Sequence, residues 1–116
     1  MNIFHRPRGG FENLKTDKNW HIKIISVYKN KRLSLQSHKL RDELWIALEG
    51  SGVAEVEDLK TKKVVKHTLS PMIKVFIPRK AKHRLSGISG LKIAEISFGR
   101  FDENDIRRYE DDFGRI

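Results

Sequence analysis

The 116 residues contain no cysteine, which excludes disulfides and thiolate metal sites and gives no sign of an oxidising compartment. No apolar run approaches the roughly 20 residues that a membrane span requires. The opening Met1-Asn2-Ile3-Phe4-His5-Arg6-Pro7 lacks the apolar stretch of a secretory signal. These absences point to a cytoplasmic protein that does not engage a membrane. Acidic residues are in deficit, 15 against 24 Lys and Arg, for a net charge of +9. A basic surface of this kind attracts nucleic acid, anionic membranes or phosphorylated metabolites. The aromatic residues sit inside apolar strands and are not interleaved with exposed basic residues, which argues against nucleic acid. Two of the basic clusters, Lys29-Asn30-Lys31-Arg32 and Lys60-Thr61-Lys62-Lys63, fall where turns are expected and read as solvated loops.

The chain has the length of one domain. Apolar residues recur mainly at period two, the signature of strands. Trp20, Ile22 and Ile24 alternate with His21 and Lys23, and Leu33 and Leu35 alternate with Ser34, Gln36 and His38. Leu44-Trp45-Ile46-Ala47-Leu48 is nearly continuous, as in a strand covered on both faces. Gly50-Ser51-Gly52 breaks it as a tight hairpin would. Further strands are predicted over 53–57, 64–69, 72–77 and 91–98, punctuated by Ser70-Pro71 and Pro78. Short, evenly spaced strands of this kind predict an all-β sandwich or barrel. The expected division is an N-terminal arm over 1–19, a core barrel over 20–99 and a C-terminal tail over 100–116. The one expected helical turn runs from a cap at Asp102 through Tyr109.

Five histidines are scattered along the chain. His5, His21 and His67 fall in the N-terminal segment or at outward strand positions and read as surface residues. His38 shares a strand face with Gln36, with Glu43 shortly after it, and His83 follows Pro78 by five residues. Two imidazoles and a carboxylate from separate strands suit a divalent ion if the strands bring them together.

The order of these segments resembles the cupin superfamily, a jelly-roll type of β-barrel. More closely, it resembles the cupin domain of type II mannose-6-phosphate isomerases, often fused to mannose-1-phosphate guanylyltransferase. Four segments carry the resemblance: Arg6-Pro7-Arg8-Gly9; Arg32-Leu33-Ser34-Leu35-Gln36-Ser37-His38 with Arg41, Glu43 and Trp45; Phe76-Ile77-Pro78 with His83-Arg84-Leu85; and Asp105 to Arg115. The departures from the family pattern are Arg8 for a tryptophan, Leu40 and Leu44 for histidines, and Lys80 for the glycine after Pro78. Leu40, read on the strand face of Gln36 and His38, would put hydrocarbon where an imidazole is expected.

The resemblance implies aldose–ketose isomerisation of a sugar phosphate in nucleotide-sugar or polysaccharide precursor synthesis. The alternative is a non-catalytic sugar-phosphate-binding cupin with a degenerate metal site, accessory to a carbohydrate-biosynthesis enzyme. Arg41 and Glu43 are the catalytic candidates it implies, and Glu95, on the last long strand, is a further inward carboxylate. Lys80, Lys82 and Arg84 flank His83 as candidate phosphate ligands. His38, Glu43 and His83, with Gln36 as a weaker oxygen donor, are the candidate ligands of a zinc-like metal. Glu110-Asp111-Asp112 reads as an anchor pinning the tail to basic side chains. Guanylyl transfer is set aside, since no glycine-rich phosphate loop leads into a helix. Outward Leu33 and Leu35 would suit the interface of a homodimer.

Overall fold

The computed structural model describes residues 2–6 and 8–115. Eleven strands build two antiparallel sheets. In chain order they are β1 (Asn2–Arg6), β2 (Gly9–Thr16), β3 (Trp20–Val27), β4 (Leu35–Ser37), β5 (Arg41–Glu49), β6 (Gly52–Glu57), β7 (Val64–Leu69), β8 (Lys74–Ile77), β9 (His83–Gly87), β10 (Leu91–Gly99) and β11 (Arg107–Glu110). The first sheet has the order β1-β2-β3-β10-β5-β8 and the second β11-β4-β9-β6-β7. The chain is a single all-β domain with no helix among the described residues, and so none long and apolar enough to cross a membrane.

Strict alternation fixes the inward face of three strands. In β5, β6 and β10 every second residue is buried, the period-two pattern of a strand packed on one side. Trp45, Ala47, Ala54, Val56, Leu85, Leu91 and Ile93 meet in the core, with Val27, Leu69, Val75 and Ile77 closing it. The β5–β6 hairpin turns at Gly50, whose φ of +74° suits glycine; a Cβ there would sit 2.1 Å from the Gly90 carbonyl oxygen. Gly9 performs a similar service beside the cavity, where a Cβ would lie 1.8 Å from the Ser26 oxygen.

Several expectations require correction. The segment expected as an arm supplies β1 and β2, because β2 hydrogen-bonds along β3 and Phe11 packs against the core. The helical turn expected after Asp102 is replaced by a tight turn and β11. Asp102 accepts from the Asn104 and Asp105 amides. The Asp105 carboxylate then accepts from the amides of Lys39 and Leu40, which holds the tail extended along β4. In β3 the inward face is the opposite of the one expected. His21, Ile25 and Val27 are buried, while Trp20, Ile22 and Ile24 lie half-covered on the outer side. His67 is half-buried. The surface placement expected of His5 concerns a side chain outside the described set, and Pro7 of the first motif also lies outside it. Leu33 packs against the core and so does not offer the outward edge expected of a dimer contact.

Candidate metal centre and cavity

Two strands and a turn bring the candidate ligands together. β5 supplies Glu43, β9 supplies His83, and the turn after β4 supplies His38; all three are buried. Their ligand atoms lie within 4.8 Å of one another, with His38 Nε2 3.5 Å from Glu43 Oε2 and His83 Nε2 3.7 Å from Glu43 Oε1. Each imidazole gives its Nδ1 proton to a main-chain carbonyl, His38 to Asp105 (2.6 Å) and His83 to Ala81 (3.0 Å). That turns both Nε2 atoms toward the carboxylate, the orientation metal ligation requires. Burial, then the charges of Arg41 and His83, push the His38 pKa down to about 3, so His38 is neutral at ordinary pH. Gln36 stands directly opposite His83 in the β4–β9 pair. The donor set therefore fits a divalent ion such as zinc.

Arg41 covers this cluster from the cavity side. Its Nε donates to Glu43 Oε2 at 3.0 Å and an Nη donates to His38 Nε2 at 3.2 Å. The guanidinium lies 4.9 Å from the Phe101 ring centroid, and Phe101 stacks on His21 at 3.9 Å. His21 is itself fixed by Thr16 and Asn13, so it is a buried prop and not the surface residue expected. Arginine over an aromatic face is a stable arrangement.

Two carboxylates share one donor here. Trp45 Nε1 lies 3.2 Å from both Glu43 Oε1 and Glu95 Oε1. Burial and then the Glu43 charge raise the Glu95 carboxyl above its ordinary range. Burial also works against ionised Glu43, but the charges of His83, Arg41 and Lys23 more than offset it, so Glu43 lies low. Lys23 Nζ approaches Glu95 Oε2 at 3.3 Å as an ion pair, and that oxygen has no hydrogen bond among the described residues. Two neighbouring carboxyls pushed in opposite directions are a common basis for dividing acid and base roles.

A cavity of about 360 Å³ opens above these groups, with His38, Arg41, Trp45, Glu95, Lys23 and Gln36 along its walls. It is large enough for a small polar ligand. Lys80, Lys82 and Arg84, the candidate phosphate ligands, do not line it. Alternation along β9 turns Arg84 away from the face of His83. Lys82 lies over the Tyr109 ring and Arg84 is bound to Leu33 O and Glu110. Lys80 is exposed in a turn. The acidic tail is pinned as expected, through Arg84–Glu110, Arg32–Asp112 and Arg115–Asp111 pairs. Leu40 is exposed at the bend after β4, and Leu44 lies on the outer face of β5. Leu40 thus puts no hydrocarbon in the cluster, contrary to expectation, because the bend at 39–40 resets the alternation. Lys23, Phe101, Arg108 and Arg115 line the cavity without having been singled out. The motif around Asp105 to Arg115 was the available signal for the last two.

Two facing antiparallel sheets with a His–Glu–His cluster between them define a cupin. Solved structures agree on the fold: a capsular polysaccharide assembling protein, CapF, from Staphylococcus aureus superposes with a TM-score of 0.81 at 17% identity, covering 94% of this chain and 31% of that one. Oxalate decarboxylase from Bacillus subtilis gives 0.84 at 14%, covering 92% and 29%. The profile described as Mannose-6-phosphate isomerase C-terminal matches residues 2–111, and the chain belongs to that family. The alginate biosynthesis protein AlgA of Pseudomonas aeruginosa is 34% identical over 114 residues, covering 96% of this chain and 22% of that protein. Mannose-1-phosphate guanylyltransferase of Escherichia coli is 28% identical, covering 97% and 23%. The chain thus spans less than a quarter of the length of these relatives.

Proposed function

We propose that this domain interconverts an aldose phosphate and its ketose isomer, with mannose 6-phosphate as the substrate suggested by the family, in the supply of polysaccharide precursors. The observation that carries the reading is the opposed pair Glu43 and Glu95 beneath one cavity, next to a buried cation, the neutral imidazole of His38 and the imidazole of His83. Isomerisation moves a proton between adjacent carbons through an enediol, so it needs a proton carrier and a stabiliser of the developing oxyanion. Glu95, with its raised carboxyl, suits the proton carrier. Low-lying Glu43 suits an anionic anchor that holds Arg41 and orients the two histidines. Arg41 presents a fixed, desolvated positive charge to an enediolate oxygen. His38, Glu43 and His83, with Gln36 beside them, would hold a divalent metal. When bound, such a metal supplies Lewis-acid polarisation of the substrate oxygens.

A second reading, a sugar-phosphate-binding module without turnover, is favoured by one observation: Arg41 engages His38 and Glu43 on the cavity side. The two readings separate in one assay. Purified protein, with zinc supplied and then chelated, is given mannose 6-phosphate and fructose 6-phosphate is measured. The isomerase reading expects turnover, with Glu95→Gln lowering kcat by roughly 100-fold or more at little change in KM. Binding without turnover, with and without zinc, establishes the second reading instead.

A further inference from the structure

The cavity has a second charged end that the isomerase reading leaves unused. In the second sheet Arg108 of β11 stands opposite Gln36 of β4, and Gln36 stands opposite His83 of β9. Directly opposed residues of antiparallel strands point to the same face. His83, Gln36 and Arg108 therefore form one row across two strand spacings, roughly 10 Å. Both Gln36 and Arg108 line the cavity. Arg108 Nε is buried with no hydrogen-bond partner among the described residues. Arg115 lines the same end, anchored by Asp111. Burial and then the Arg115 charge bring the Arg108 guanidinium below its ordinary pKa, with Asp111 as the one acid opposing them. Two neighbouring guanidiniums, opposed by Asp111, thus meet at a partly desolvated part of a cavity that Glu103 also lines, an arrangement that an incoming anion relieves.

We propose that Arg108, with Arg115 beside it, is the anion subsite of the cavity and takes the substrate's phosphate. The proposal rests on the reading that the cavity accepts a sugar phosphate, and it adds a ruler. Six bonds separate C2 from the phosphorus of a hexose 6-phosphate, about 7–8 Å when extended. That length reaches from the His38–Glu43–His83 cluster to a guanidinium projecting from a strand two positions away. In a hexose 1-phosphate the phosphorus lies roughly 4 Å from C2, too short to reach both ends. A guanidinium fork matches phosphate oxygens in pairs, and the subsite therefore selects a phosphate on the far end of the sugar.

The test uses the whole chain, with inorganic phosphate as the probe, titrated calorimetrically at fixed ionic strength in the presence of a chelator. Saturable binding is expected, weakened roughly tenfold to a hundredfold in Arg108→Gln and less in Arg108→Lys. Hexose 6-phosphate should bind the wild type more tightly than hexose 1-phosphate, and Arg108→Gln should erase the preference. Unchanged phosphate affinity in Arg108→Gln overturns the proposal. If that variant does not fold, Arg108→Lys carries the same comparison, and unchanged affinity there is equally contrary. Arg108-dependent binding without turnover keeps the subsite and defeats the isomerase reading. Turnover with KM unchanged in the Arg108 variants defeats the subsite and keeps the isomerase.

Discussion

Replacing Glu43 with glutamine removes the one negative charge that Arg41, His38 and His83 all face. Glu43 and Arg41 are only 1% and 6% exposed, so water cannot replace the lost partner. Breaking a buried pair from one side costs about 3–5 kcal/mol. The glutamine oxygen still accepts a hydrogen bond from Arg41 or Trp45, which returns about 1 kcal/mol. The net loss is about 2–4 kcal/mol. A domain of this size unfolds with an entropy near 0.24 kcal/mol/K, so each kcal/mol shifts Tm by about 4 °C. Glu43→Gln should therefore melt about 8–16 °C below the wild type, measured by circular dichroism at pH 7.5 with a chelator present. The Glu55–Lys66 pair, whose lysine is 72% exposed, is the control; Glu55→Gln should cost under about 1 kcal/mol. Adding Arg41→Met to Glu43→Gln should recover part of the loss, since the stranded cation is then gone. If Glu43→Gln melts within 2 °C of the wild type, the carboxylate is not the electrostatic centre of the site.

Two further outcomes follow from the same geometry. His38 has a folded pKa of about 3 against 6.5 unfolded, so below pH 6.5 the unfolded chain binds its proton first and stability falls as pH drops, by at most about 1.4 kcal/mol per unit. Glu95, raised, works in the opposite sense, so the readout is the difference between wild type and His38→Gln. In urea unfolding that difference should shrink by about 1–2 kcal/mol between pH 6.5 and 5, and a constant difference contradicts the assignment. Lys80 holds a φ of +74° in the turn where its amide donates to the His38 carbonyl. Lys80→Gly relieves about 1–2 kcal/mol of left-handed strain and loses about 0.4–1 kcal/mol to the freer unfolded chain, for a net rise in Tm of a few degrees. A fall in Tm refutes the strain argument.

The strands easiest to read were β5 and β6, whose inward faces carry a recognised motif or are wholly apolar, and β10, whose inward face begins with Leu91 and Ile93 before turning polar at Glu95 and Ser97. β3 misled because its inward face serves the cavity: His21 and Lys23 point in while the more apolar Trp20, Ile22 and Ile24 point out. Local hydrophobicity inverts wherever the interior must be polar. β9 was less legible for a related reason, since His83-Arg84-Leu85-Ser86 has no apolar alternation, although its parity alone separates His83 from Arg84. The cluster residues His38, Glu43 and His83 were legible through motif order. The group that props Arg41, Phe101 stacked on His21, depends on a contact between β3 and the segment after β10. No local pattern encodes that contact. Arg108 needed the pairing of β11 with β4, which replaced the expected helical turn.

The central claim is proton transfer on a sugar phosphate in this cavity, and it is tested most directly in deuterium oxide. Zinc-loaded protein is incubated with mannose 6-phosphate, and the transferred position is followed by proton NMR. The account predicts fructose 6-phosphate with solvent deuterium entering the transferred position, and loss of both signals in Glu95→Gln. Substrate that binds yet neither isomerises nor exchanges its C2 proton contradicts it.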